Sequence, residues 1–247
     1  MRKKIILCVG VLLMLAAFVL GGMKLLRVKE ARQSGICLAF DDYYPDNWES
    51  YFDLFDEYGV NVTFFVTLYE PTDFCYKAID RGHEIGFHTA GHVPVPEMSE
   101  EQLKEQILDP MERFKEQGIE LTSFAYPGGA RNEDTDKFLL EHFNLVRCAY
   151  KYQVNGKDVL RHGVVESMPI DFHYYSLKEE SEEAFKNRID SMMEELSNNV
   201  GAVASIYSHG IDDGAEWCVS EKRLRYIFEK ADEYGLKFYT FKELQKD

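Results

Sequence analysis

From Gln33 to its end the chain alternates short apolar runs with longer amphipathic stretches. The runs, rich in Ile, Val, Phe and Tyr and bounded by turn residues, read as strands; the stretches, with apolar positions three and four apart, read as helices. Strands are expected at 36–40, 62–68, 84–88, 123–126, 145–149, 202–207 and 237–240, with helices between them at 48–58, 74–81, 100–117, 133–142, 182–197 and 221–234. Capping signals agree: Ser99 with Gln102, Ser220 before Glu221, and Thr240 with Glu243 each sit where a helix should open. Gly59, Gly82, Gly118 and Gly235 each follow a helical stretch, as a left-handed terminating residue would. Such alternation predicts an α/β fold. One stretch breaks the rhythm. Lys151 to Leu177 is polar, contains glycine and is too long for an ordinary connection, so it is either a functional loop or irregular strand.

The first residues follow another pattern. Met1-Arg-Lys-Lys4 precedes an uncharged run from Ile5 to Met23, about long enough to span a bilayer. That run is longer than the apolar part of a cleaved signal and lacks an A-x-A-like site, which favours an uncleaved signal anchor over a cleaved signal peptide. Residues 1–32 are therefore read as a membrane segment with a basic linker, and 33–247 as one domain. Arg2, Lys3 and Lys4 on one side and Lys24, Arg27, Lys29 and Arg32 on the other leave the orientation open by charge alone.

A hydrophobic content of 45% with 14% aromatics excludes a disordered chain. Residues 1–32 hold seven of the 28 Lys and Arg but one of the 43 Asp and Glu, so the domain keeps 21 basic and 42 acidic residues. Such a field argues against nucleic acid as a partner and favours a neutral or cationic ligand, although most of the excess is ordinary solvated surface. The five cysteines, Cys8, Cys37, Cys75, Cys148 and Cys218, have no C-x-x-C spacing and so no structural-zinc or thioredoxin-like signature. Cys37 and Cys148 fall in strand-like runs and are expected to be small buried hydrophobes.

In a parallel sheet or barrel, ligands bind at the carboxyl ends of the strands. Four motifs stand at such ends: Asp41-Asp42, His88 with His92, Pro127-Gly-Gly129, and Ser208-His209-Gly210. Two histidines four apart and one carboxylate make a three-ligand metal site with open positions. A second carboxylate can then act as base, and a histidine from another strand can protonate a leaving group. The chain offers Asp41 as base, His209 as acid, and Asp42, His88 and His92 as ligands. Taken singly, paired aspartates are more often turn formers and an H-x-x-x-H pair is often merely solvated. Their joint occurrence at successive strand ends reverses that weighting.

These residues also resemble a family. Phe40-Asp-Asp42, Asn61-Val-Thr-Phe-Phe-Val66, Gly82-His-Glu-Ile-Gly-Phe-His-Thr-Ala-Gly-His92, Phe124-Ala-Tyr-Pro-Gly-Gly129 and Ile206-Tyr-Ser-His209 are similar to the motifs of the polysaccharide deacetylases of carbohydrate esterase family 4, the NodB-homology domains. The resemblance runs from about Gly35 to Leu244. It implies a distorted (β/α)7 barrel and a metal-dependent hydrolase that removes acetyl groups from N-acetylated glycan, in preference to O-acetylated glycan. It implies Asp41 as base, His209 as acid, and a divalent metal on Asp42, His88 and His92. Zinc is the default, with cobalt, nickel, iron or manganese as alternatives. Thr89 would brace the histidine loop, and a backbone amide near Gly128, in the Tyr126-Pro127-Gly128 segment, would help to hold an oxyanion. A glycan substrate implies a domain outside the cytoplasm, membrane-anchored or secreted, and a monomer is expected.

Three departures stand out. Tyr43 replaces the glycine usual after the two aspartates, opening the aromatic segment Tyr43-Tyr-Pro-Asp-Asn-Trp48. Ala125 stands where many members carry the arginine that orients the base, which leaves Arg161, then Arg131, as candidate substitutes. The acidic residue and tryptophan that support the acid histidine have no clear match; Asp171 and Trp217 are the candidates. Trp48 and Trp217 could stack on sugar faces or be buried. His83 is expected to be structural, and His142, His162 and His173 receive no catalytic role. Two other readings remain: a glycan-binding module weakened in catalysis, as Ala125 suggests, and a metal-dependent amidase acting on a small non-sugar substrate.

Overall fold

In β1 (Gly35–Asp42) the side chains alternate between two apolar environments, with Ile36, Leu38 and Phe40 in an outer core and Cys37 and Ala39 in an inner one. This period-two alternation is the basis of the whole domain. The computed structural model describes residues 32–149, 151–156, 160, 162–171, 180–212 and 215–245. The apolar run at 5–23, Arg161 and His173 lie outside the described residues. Among the described residues, no helix is long and apolar enough to cross a membrane.

After β1 come β2 (Thr63–Val66), β3 (Glu84–Phe87), β4 (Ser123–Ala125) and β5 (Leu145–Arg147), each paired in parallel with the one before. Then β6 (Val154–Asn155), β7 (Val164–Val165) and β8 (Ser167–Pro169) lead to β9 (Val203–Ser208). β7 pairs in parallel with β5, β8 pairs in parallel with β9, and β9 returns to β1. Val164–Pro169 thus acts as one stave that changes neighbour at Glu166, and it carries the sheet into a nearly closed seven-stave barrel. Six of the staves are expected ones. The seventh lies in the irregular 151–177 stretch, because its inward positions include Ser167, which accepts from Ser205 Oγ at 2.8 Å, where the pattern would call for an apolar residue. The expected strand at 237–240 is instead a two-residue piece, Lys237–Phe238, paired with Gly35 and Ile36 at the start of β1.

The barrel interior is filled by Cys37, Ala39, Phe65, Ala125, Leu145, Val165, Val203 and Tyr207, and plugged at the floor by Tyr239, Phe241 and Leu244. Phe65 occupies so much of it that a Cβ on Gly86 of β3 would come within 2.5 Å of its ring. At the floor, buried Glu84 accepts hydrogen bonds from Thr63 Oγ1 (2.9 Å), Ser123 Oγ (2.6 Å) and Lys242 N (2.8 Å), which ties the last short helix to the barrel. Burial raises its carboxyl pKa, and those donors oppose the shift.

The helices cover the outer faces with two departures from expectation. The 48–58 helix is two pieces, Pro45–Glu49 and Phe52–Tyr58. The 100–117 helix contains a π turn at Lys104–Leu108 between Glu100–Leu103 and Asp109–Glu116, and Pro110, which has no N–H, follows that turn. The capping boxes at Ser99 and Thr240 and the Ser220 cap form as expected. Cys37 and Cys148 are buried, as expected.

Candidate active site

The inward positions of the staves end at the barrel mouth in polar groups. On β1 the series Cys37, Ala39 ends in Asp41; on β5 Leu145 is followed by Arg147; after β3 comes His88, and on β9 Val203, Ser205 and Tyr207 lead to His209. Asp41, Asp42, His88, His92, Tyr126, Gly128, Tyr207, His209 and Trp217 line one cleft of about 220 Å³.

Three of these converge. Asp42 Oδ1 lies 3.6 Å from His88 Nε2 and 3.4 Å from His92 Nε2, and one donor atom from each residue falls within 4.8 Å of the others. His88 Nδ1 is 2.8 Å from the carbonyl of Ala125. A carbonyl can only accept, so Nδ1 carries the proton and the Nε2 lone pair faces Asp42. Burial, helped by the Arg147 charge, lowers the His88 pKa to about 3, which keeps the imidazole neutral. Buried Asp42 Oδ1 has no hydrogen-bond partner. A neutral imidazole, a second imidazole and an unsatisfied carboxylate oxygen suit a divalent cation such as zinc.

The backbone here is unusual. Among the described residues the non-glycine positions with positive φ are Asp42 (75°), Thr89 (55°), His92 (55°) and Trp217 (59°). Three line the cleft and the fourth adjoins His88. Such conformations cost energy and persist where surrounding contacts over-determine them.

On one side of the cluster lies Asp41, 3% exposed, paired through Oδ2 with Arg147 Nη2. Arg147 is fully buried, its guanidinium 4.3 Å from the Tyr207 ring centroid and 5.3 Å from that of Phe65. Burial raises the Asp41 pKa, against the lowering influence of Arg147 and His209. Of the two expected substitutes for the missing arginine, Arg131 pairs with Asp136, and Arg161 lies outside the described residues. The sequence carried a signal in the single charge of the apolar run Leu145-Val-Arg-Cys-Ala149, on the same inward face as Leu145.

On the other side, His209 Nδ1 is 3.5 Å from Asp171 Oδ2, an ion-pair distance, while Ser208 Oγ donates to Asp171 Oδ1 at 2.5 Å. Burial lowers the His209 pKa, but Asp171, Asp41 and Asp42 outweigh it and the net shift is upward. Trp217 packs edge-on against the imidazole at 5.6 Å and is 41% exposed, whereas Trp48 is fully buried and donates its indole N–H to the His209 carbonyl at 2.6 Å. Thr89 Oγ1 accepts from Val93 N at 2.9 Å, across the histidine loop. The Tyr126 amide donates to the Arg147 carbonyl, and Tyr126 OH reaches Asp136 at 2.8 Å. Pro127 has no N–H, and Gly128 lines the cleft with φ 60°.

This architecture is that of carbohydrate esterase family 4. Residues 29–143, just under half of the chain, match the polysaccharide deacetylase family. A peptidoglycan-N-acetylglucosamine deacetylase of Bacillus cereus is 32% identical over 102 residues, covering 40% of this chain and 48% of that protein, so the match spans about half of the relative's length. Two solved structures share the fold. A chitin deacetylase from Colletotrichum lindemuthianum superposes with TM-score 0.59 at 15% identity, covering 88% of this chain and 90% of the other. A family 4 acetyl xylan esterase from Clostridium thermocellum, in complex with a cobalt ion, gives 0.58 at 18%, covering 85% and 89%.

Proposed function

We propose that the chain is a metal-dependent hydrolase that removes acetyl groups from an N-acetylated glycan outside the cytoplasm, held at the membrane by residues 5–23. The observation that carries this reading is the convergence of Asp42 Oδ1, His88 Nε2 and His92 Nε2, with His88 oriented by Ala125. When bound, the cation supplies Lewis acidity, polarising an acyl oxygen and making water easier to deprotonate.

The chain's residues do the rest. Asp41, pointed by Arg147 and made more basic by burial, takes the proton of the attacking water. His209, favoured in its charged form by Asp171, gives a proton to the departing amine. We assign the Gly128 amide to the developing oxyanion, because Gly128 lines the cleft while the Tyr126 amide is committed to Arg147 and Pro127 has none. Tyr44 and Trp217, 44% and 41% exposed at the cleft, offer aromatic faces to sugar rings.

The family relationship and the peptidoglycan-deacetylating relative support the glycan as substrate. The Arg147–Asp41 pair supports turnover over mere binding, because it supplies the guanidinium that Ala125 lacks. Acetate release from N-acetylated glycans, O-acetylated glycans and small acetamides, with the protein stripped by chelator and reloaded with zinc or cobalt, tests the reading. Metal-dependent release from an N-acetylated glycan is expected. Turnover unaffected by chelation, or confined to small acetamides, refutes it.

A further inference from the structure

Gln106 holds the middle of the histidine loop from outside the cleft, and the sequence explains how. Gln106 lies in the π turn Lys104–Leu108 of the helix beside the loop and is 7% exposed. In an α-helix its carbonyl would accept the amide four residues on. That residue is Pro110, which has no N–H, so the carbonyl is released from this partner and accepts from Ala90 N at 3.0 Å. The side chain repeats the contact one residue further, where Oε1 accepts from Gly91 N at 2.8 Å, and Nε2 donates to Tyr69 OH at 2.9 Å. Both oxygens of one glutamine therefore bind the consecutive amides midway between His88 and His92. The fit is close: a Cβ on Gly91 would stand 3.0 Å from Gln106 Oε1.

The loop needs such restraint. Thr89 and His92 both have φ of 55°, and contacts that fix Ala90 and Gly91 between them help to keep both imidazoles aimed at Asp42. We infer that Gln106, with its carbonyl released by Pro110, is the positioning residue of the metal-binding histidine pair. This rests on the metal reading above. Partners that orient first ligands typically contribute 10- to 100-fold in metal affinity, and Gln106 acts by fixing the ligand backbone instead of an imidazole.

The test uses the purified chain stripped of metal and titrated with Zn2+ against a competing chelator, with the Co2+ visible spectrum recorded in parallel. Urea unfolding of the stripped forms measures stability separately. Gln106→Ala should weaken Zn2+ binding by roughly 10- to 100-fold and alter the Co2+ spectrum, beyond what its stability change predicts. Gln106→Glu, which keeps the acceptor for Gly91, should retain more affinity than Gln106→Ala. Pro110→Ala, which returns a competing N–H to the helix, should weaken binding while favouring the helix itself. If Gln106→Ala does not fold, Pro110→Ala decides alone. Parental affinity and spectrum in Pro110→Ala, or in a folded Gln106→Ala, overturn the inference while leaving the metal site intact. No Zn2+ or Co2+ binding by the parent overturns the metal reading and the inference together.

Discussion

Arg147 stands opposite Ala125, one strand over in the parallel register of β4 and β5, and its guanidinium pairs with Asp41 across the barrel mouth. The charge missing from one stave is supplied by its neighbour. Both positions face inward, so a guanidinium from either could approach the same carboxylate. Arg147→Ala should lower turnover by up to about 10²-fold, the lower end of what a positioned base contributes. It should also cost about 3 kcal/mol or more in urea unfolding, because a buried carboxylate loses its partner. Adding Ala125→Arg to that variant should recover part of both. Full activity in Arg147→Ala would dissociate Asp41 orientation from this pair.

Asp171 raises the pKa of His209, together with Asp41 and Asp42 and against burial. In the proposed reaction His209 must be protonated to act, so turnover should fall as pH rises through its pKa. Asp171→Asn removes a negative charge 3.5 Å from Nδ1 and lowers that pKa, so the basic limb of the kcat/KM profile should move to lower pH. The acidic limb, set by Asp41, should move less. An unmoved basic limb would remove His209 as the acid or Asp171 as its partner.

Most of the barrel and the mouth were legible in the sequence because both depend on local pattern. Period-two runs give six of the seven staves, and Asp41, His88 and His209 follow directly at strand ends. What escaped was fixed by contacts between distant segments. The seventh stave stayed undecided between loop and irregular strand because Ser167 finds a hydrogen-bond partner in Ser205 inside the barrel. Arg147 looked like one charge in a strand until closure brought it beside Asp41. Gln106 owes its contacts to a π turn that a helical period does not reveal.

The aromatic segment after the paired aspartates couples the two sides of the mouth. Asn47 Nδ2 donates to the Ile211 carbonyl and Asn47 Oδ1 accepts from the Ile211 amide, both at 2.9 Å, while Trp48 grips the His209 carbonyl. The short helix that follows Asp42 thereby fixes the backbone carrying His209. Asn47→Ala should lower kcat by about tenfold or more through misplacement of the acid, since small displacements of reacting groups are costly. Zn2+ affinity should stay at the parental level, as Asn47 touches no ligand. A KM change with kcat intact would assign this segment to substrate binding instead.

His83 provides a pH-dependent stability contribution away from the mouth. It is 4% exposed among Phe52, Phe55 and Phe64, and its Nδ1 accepts from the Val62 amide at 3.3 Å, so it must be neutral at that nitrogen. Burial lowers its pKa from 6.5 to about 4. Unfolding restores the ordinary value, so between these two pH values the unfolded chain binds a proton that the folded chain refuses. The contribution is therefore fully present above pH 6.5 and is lost as pH falls towards 4, amounting to about 3 kcal/mol over the interval at about 1.4 kcal/mol per unit. His83→Met should lower stability at pH 7, because the Val62 amide loses its acceptor, yet lose less of that stability than the parent on acidification. Urea unfolding of both proteins at several pH values from 4 to 7.5 measures the difference, and parallel curves would mean that His83 is protonated as readily in the fold as out of it.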